Sequence, residues 1–146
     1  MGTTTLTKVL HIREMEKIDA QKAYNQSMES FEEVATRLYQ LLKKKEDAEE
    51  SYEESIQETT PIEIIRQQMD YIEMLSRKIV KLEQDVQNAR MEMENKHGKL
   101  KDAHVEVKKF EKIIQIRKQS AKEMEKKLEK ETMDEISINQ YLAKQK

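Results

Sequence analysis

The sequence predicts an all-α fold, an antiparallel two-helix coiled-coil hairpin with a C-terminal helical overhang, and three observations predict it. Turn-forming residues are scarce: the 146 residues include two Gly and one Pro. A many-element globule needs a Gly, Pro, Asn or Asp cluster at each of its turns. Apolar residues recur with a seven-residue period over most of the chain. A single strong punctuation mark, Glu58-Thr59-Thr60-Pro61-Ile62-Glu63, separates two such periodic stretches. Together they leave one domain, 1–146, made of very few long elements.

The first helix is expected over about 5–57. Its seam is carried by two heptad series, Leu10, Lys17, Tyr24, Phe31, Leu38, Lys45, Tyr52 and Arg13, Ala20, Ser27, Val34, Leu41, Ala48, Ser55. The turn falls at about 58–60. Proline suits a first helical position because its missing N–H would be an orphan there. Thr60 then caps the second helix, with Glu63 three residues on as its capping-box partner. The competing reading is a single helix kinked at Pro61; three coincident start signals favour a restart.

The second helix is expected over about 61–140. Every seventh residue from Ile65 is apolar: Ile65, Ile72, Ile79, Val86, Met93, Leu100, Val107, Ile114, Ala121 and Leu128. The companion series runs Gln68, Leu75, Leu82, Ala89, Lys96, Ala103, Phe110, Arg117, Met124, Glu131. Ten unbroken heptads far exceed the three or four that argue for a coiled coil. At about 1.5 Å per residue, such a helix to near Glu131 spans roughly 105 Å.

A short turn between helices forces antiparallel neighbours. Facing residues in a hairpin have a constant sum of numbers, here near 120. Leu38 then faces Leu82, Phe31 faces Ala89, Leu10 faces Phe110, Leu41 faces Ile79 and Val34 faces Val86. Both seams of one helix meet both seams of the other at that one register. Lys17, Lys45 and Tyr24 opposite Lys96 interrupt the seam, at a cost in stability and a gain in register definition.

Helix one runs out of residues before helix two does. Its partners end near Gln115, so Ala121, Met124 and Leu128 continue the apolar seam uncovered, followed by Met133, Ile136, Ile138, Tyr141 and Leu142. An unpaired apolar stripe calls for a partner surface. Charge separates as well. Lys108 to Lys130 holds nine Lys/Arg against four Glu, while Glu46 to Glu58 holds seven acidic residues and no basic one. Differently charged ends are able to orient two different partners.

Composition narrows the chemistry. Charged residues are 38% and hydrophobic ones 36%, yet the net charge is only −2, which gives no general pull toward nucleic acid or anionic lipid. The Lys-rich stretch after Val107 is interleaved with Glu that would repel phosphate. No Cys is present, which removes thiolate metal sites and Cys nucleophiles and suits a reducing compartment. No stretch approaches the roughly 18 apolar residues of a membrane span, and no signal-peptide core is visible. A cytosolic protein is the expectation. Gly2 and Gly98 stand alone, so no phosphate-cradling loop is built. His97 and His104 are seven apart, whereas helical metal pairs sit three or four apart, and His11 is isolated. No cofactor, metal, small-molecule substrate or nucleic acid is expected, and no catalytic activity.

The opening Val9-Leu10-His11-Ile12-Arg13-Glu14-Met15-Glu16-Lys17, the segment Glu106-Val107-Lys108-Lys109-Phe110-Glu111-Lys112 and the ending Met133-Asp134-Glu135-Ile136-Ser137-Ile138 resemble the FliJ family of flagellar type III export proteins. The likeness covers nearly the whole chain. It implies a stalk similar to that of rotary ATPases, whose two-terminus end enters the hexameric ring of the export ATPase. It also implies a link to the membrane export gate, handling of export chaperones, a place at the cytoplasmic face of the flagellar base, and through the flagellum a bearing on chemotaxis. By that resemblance Ala121, Met124, Leu128, Met133 and Ile136 face the ATPase ring. The family's gate surface lies just after the turn, and Tyr71, Ile72, Leu75 and Ile79 fit its spacing. Lys78 and Leu82 depart from the family pattern, which has a small and a polar residue there. Leu75 also belongs to the predicted seam, where it would pack on the stem of Lys45. Two other classes remain: a holdase resembling the coiled-coil arms of prefoldin, or a structural coiled coil of another secretion system. A hairpin should be a monomer in isolation, a parallel coil a dimer.

Overall fold

The computed structural model describes residues 2–145. It contains two long α-helices, α1 (Thr3–Gln57) and α2 (Ile62–Lys144), and no strand among the described residues. Helix formation follows from composition. Both elements are rich in Glu, Lys, Gln, Met and Leu, which lose little side-chain freedom in a helix, and neither contains a proline. Exposed Glu–Lys and Glu–Arg pairs one turn apart add small increments, as at Glu33–Arg37 (2.6 Å) and Glu73–Arg77 (3.0 Å).

The break is a true interruption. Residues 58–61 are non-helical. The Glu58 N–H donates to the Glu54 carbonyl at 3.2 Å and closes α1; the Thr60 N–H donates to the Glu58 carbonyl at 3.0 Å. Both the Ile64 and Ile65 N–H groups donate to the Pro61 carbonyl, at 3.1 and 3.3 Å. That places Pro61 at the cap and Ile62 first in the helix, one residue later than the capping-box reading. The Ile64 N–H, which a cap at Thr60 would bring to the Thr60 carbonyl four residues back, instead makes the tighter three-residue bond to Pro61, as helix ends often do.

Two compact units make up the chain, Met1–Ile18 with Asp102–Lys146 and Asp19–Lys101. In the second unit the two helices run antiparallel. Every residue of both heptad series within it is half-buried or buried, on α1 from Ala20 to Ser55 and on α2 from Ile65 to Leu100. Leu75 and Ile79 are the most enclosed, at 2% and 4% exposure, and Ser27 is buried with its hydroxyl donating to the Tyr24 carbonyl at 2.7 Å. In the first unit Leu6, Val107 and Ile114 form the core, with Leu10, Arg13 and Phe110 half-buried beside them.

Cross-helix contacts fix the register within each unit. The Tyr24 and His97 rings lie 5.3 Å apart, the Arg90 guanidinium sits 5.8 Å over the Phe31 ring, and the Gln68 amide donates to the Ser55 hydroxyl at 3.0 Å. In the other unit the Arg13 guanidinium sits 5.8 Å over Phe110. The numbers of these pairs total 121 or 123, close to the expected 120. Phe31 and Tyr24 meet Arg90 and His97, next to the expected partners Ala89 and Lys96.

Candidate functional site

Three exposed apolar surfaces lie on helix faces, alongside further exposed apolar residues such as Ile12, Met15, Ile18 and Val105. The first is the C-terminal arm of α2. Ile114 is buried, and every described residue from Gln115 onward is exposed. Ala121, Met124 and Leu128 keep the heptad spacing of the covered seam, so at about 3.6 residues per turn they share one stripe with Leu142. Met133 and Ile136 fall on other sides of the helix, with Ile138 and Tyr141 on still others. From Met133 on, the apolar residues of the arm therefore leave the single stripe and are scattered around the helix among polar and charged ones such as Asp134, Glu135 and Asn139. Leu128 is 57% exposed and Met133 66%. Lys118, Lys122, Lys126, Lys127 and Lys130 join no ion pair among the described residues.

The mouth of this arm is a groove of about 560 Å³ in the first unit, where Leu10 meets Ile114, Gln115 and Lys118. It forms because α1 begins at Thr3 and has only its first turns to lay against α2 there. Leu10 and Ile114 form its apolar floor, with Glu111, Lys118 and Lys122 at the rim.

The other two surfaces flank the seam of the second unit near the turn. Ile64 and Tyr71, seven residues apart, share one flank of α2, with Met74 beside them. Tyr71 is 45% exposed. Ile72 is half-buried, while Leu75 and Ile79 point into the seam and present almost nothing to solvent. Of the four residues singled out for a gate contact, the structure leaves Tyr71 as the accessible one. The partner side chains on its own flank, Ile64 and Met74, were not legible as surface from periodicity alone.

The opposite flank was missed by sequence reasoning. Leu42 and Ile56 on α1 stand fourteen apart at one heptad position, and Ile62 and Met69 on α2 stand seven apart at the position that meets it in an antiparallel pair. Tyr39 and Val80 extend the patch, at 66% and 68% exposure. A groove of about 370 Å³ runs between Tyr39, Leu42, Lys43, Glu46 and Asp47, and a second of about 280 Å³ between Tyr52, Met69, Ile72 and Glu73. A flanking apolar at a repeated heptad position was the available signal; it was overlooked because the central seam dominates the pattern.

Among the described residues no cluster of His, Cys, Asp or Glu is placed to hold a metal ion, and no helix is long and apolar enough to cross a membrane. Fold and surfaces together define a class: a two-helix coiled-coil hairpin whose spare apolar area lies on exposed helix faces. Within that class the chain belongs to the FliJ family, since the family model described as Flagellar FliJ protein matches residues 2–146. The Flagellar FliJ protein of Bacillus subtilis (strain 168) is 31% identical over 135 residues, covering 92% of each chain. No solved structure matches the chain. Membership makes this a protein of flagellar export.

Proposed function

We propose that the protein is a non-enzymatic stalk of the flagellar export apparatus, coupling the export ATPase ring to the membrane export gate and assisting the handling of export chaperones and their substrates. The observation that carries this reading is the arm beyond Gln115, which bears exposed apolar residues and has no partner helix. Met133, Ile136, Ile138, Tyr141 and Leu142 project from several sides of the helix, between polar residues such as Asp134, Glu135 and Asn139, so no single flat surface covers them all. A ring with a central opening encloses a helix from every direction at once, whereas a flat surface covers one stripe. Ala121, Met124 and Leu128 enter as the one-sided part, Met133 and Ile136 as the enclosed part.

At the other unit Tyr71 is the gate residue, supported by Ile64 and Met74 on its flank and held in orientation by Ile72 at the edge of the seam. Leu75 and Ile79 act from beneath, by fixing the helix that carries Tyr71. The protein works at the cytoplasmic face of the membrane at the flagellar base, held there by its partners.

The test is truncation. A chain ending at Ser120 keeps all of the buried seam, so its circular dichroism melt should match that of the full chain. Stimulation of export ATPase turnover should fall to the level of ATPase alone. Undiminished stimulation by the shortened chain would refute the role of the arm.

A further inference from the structure

We propose that one section of the second unit, where Ala20–Ser30 of α1 lies along Ala89–Leu100 of α2, opens locally, its helices parting while the turn-proximal section of the same seam stays closed. The two sections carry one heptad pattern with different contents. Toward the turn the seam holds Val34, Leu38 and Leu41 on α1 and Leu75, Ile79 and Leu82 on α2, with Leu75 and Ile79 buried. In the other section it holds Ala20, Tyr24 and Ser27 on α1 and Ala89, Met93, Lys96 and Leu100 on α2. Among the described residues the one buried member of that set is Ser27, a polar side chain. Small residues there leave a groove of about 260 Å³ lined by Ala23, Ser27, Ser30, Ala89 and Lys96. Atoms bordering such a gap lack dispersion partners on one side.

Polar groups in this section are bonded within their own helices. The Ser27 hydroxyl donates to the Tyr24 carbonyl at 2.7 Å, and the Lys96 ammonium pairs with Glu92 at 3.6 Å. Parting the helices breaks neither bond. Near the turn, by contrast, the Gln68 amide donates across the seam to the Ser55 hydroxyl at 3.0 Å, and opening there would break it. The opening section is crossed by the tilted Tyr24–His97 ring contact at 5.3 Å, with the Arg90 guanidinium over Phe31 at its edge. Gly98 lies in the section too, and a glycine weakens the interior of the helix that carries it. Local opening starts where buried apolar contact is least, so this section yields before the turn-proximal one. It uncovers Tyr24 and Met93, which line one shallow pocket with His97 while the helices are together. Such opening is a property of the isolated chain and does not depend on the stalk role.

The full chain has no cysteine, so one introduced thiol reports alone. Ser27→Cys exchanges a hydroxyl for a thiol at the buried position of the opening section, and Ile79→Cys places a thiol at a buried position toward the turn. The reagent is a fluorescein maleimide, too bulky to enter the groove while the helices are together. Its rate with each folded variant is divided by its rate with the same variant in denaturant. That ratio should be at least about tenfold higher for Ser27→Cys, as expected of a section that opens on its own. Loss of the isoleucine side chain loosens the Ile79→Cys protein, which works against the expected difference. Adding Lys96→Leu to Ser27→Cys puts an apolar residue in place of a charged one in the seam and should slow labelling about tenfold. Labelling through this section alone should rise only weakly with urea, because little surface is exposed. Equal ratios for the two thiols overturn the proposal, and so does a Ser27→Cys rate that Lys96→Leu leaves unchanged. A urea slope equal to that of global unfolding overturns it as well.

Discussion

Two stretches of α2 carry the same heptad and meet opposite fates. From Ile65 to Ile114 each seam residue is half-buried or buried, while Ala121, Met124 and Leu128, next in the same series, are exposed. Nothing in the residue types separates them; Leu75 at 2% exposure and Leu128 at 57% are the same side chain on the same helix. The difference is the length of α1, which begins at Thr3 and reaches no further along α2. Burial here is a property of the partner. Where the partner is intramolecular a seam residue stabilises the fold, and where it is missing the same residue stays open to solvent.

That contrast is broken most directly by truncating one leucine from each stretch. Leu75→Ala should cost about 2–4 kcal/mol, since the lost transfer energy and the cavity add. The hairpin melt should move down by many degrees, because two helices share a narrow core. Leu128→Ala should leave the melt within about 0.5 kcal/mol of the parent, as exposed positions do. Comparable shifts from both variants would mean that the arm is covered in the isolated molecule. Thermal unfolding followed by circular dichroism separates the outcomes.

Much of the fold was legible, and the reason is physical. A coiled coil is the case where a local pattern and the tertiary contact coincide, so the two seams of α1 and those of α2 up to Ile114 could be written down from spacing. Antiparallel pairing followed from the single break, and the register followed from the seams to within a few residues. What spacing does not encode is where a large side chain leans. Tyr24 and Phe31 resting on His97 and Arg90, and the cap falling at Pro61, depend on side-chain volume and local geometry. The candidate surfaces were less legible. The arm was visible as a count of unpaired residues, whereas the Tyr39–Leu42–Val80 flank lies outside both seams, and Leu75 and Ile79 were assigned to a surface although their heptad position puts them inside.

Gly98 offers a smaller probe of the covered stretch. It sits within α2 in the second unit, its φ is not positive, and a Cβ built there meets nothing within 4 Å. Glycine in a helix interior is less favourable than alanine by about 0.8–1.0 kcal/mol. Gly98→Ala should therefore stabilise by about that amount, read as a higher melting temperature and slower amide exchange from Met93 to Ala103. A neutral or destabilising result would mean that the helix needs the glycine, for a bend or for the approach of another chain.

The smallest effect sharpens the register itself. Arg90 over Phe31 at 5.8 Å is a cation–π contact between the helices at the edge of the seam, with the guanidinium open to solvent. Such contacts at exposed sites are worth about 0.5–1 kcal/mol. Phe31→Ala alone should cost more, because it also removes a half-buried ring from the seam. The pairwise term comes from a double-mutant cycle with Arg90→Ala, in which the effect of removing the guanidinium is measured with and without the ring. A coupling of about 0.5 kcal/mol is expected. The same cycle between Arg90 and Val34 should give none, since Val34 lies one turn from the contact. Equal coupling in both cycles would mean that Arg90 acts on the helix as a whole and not through the Phe31 ring.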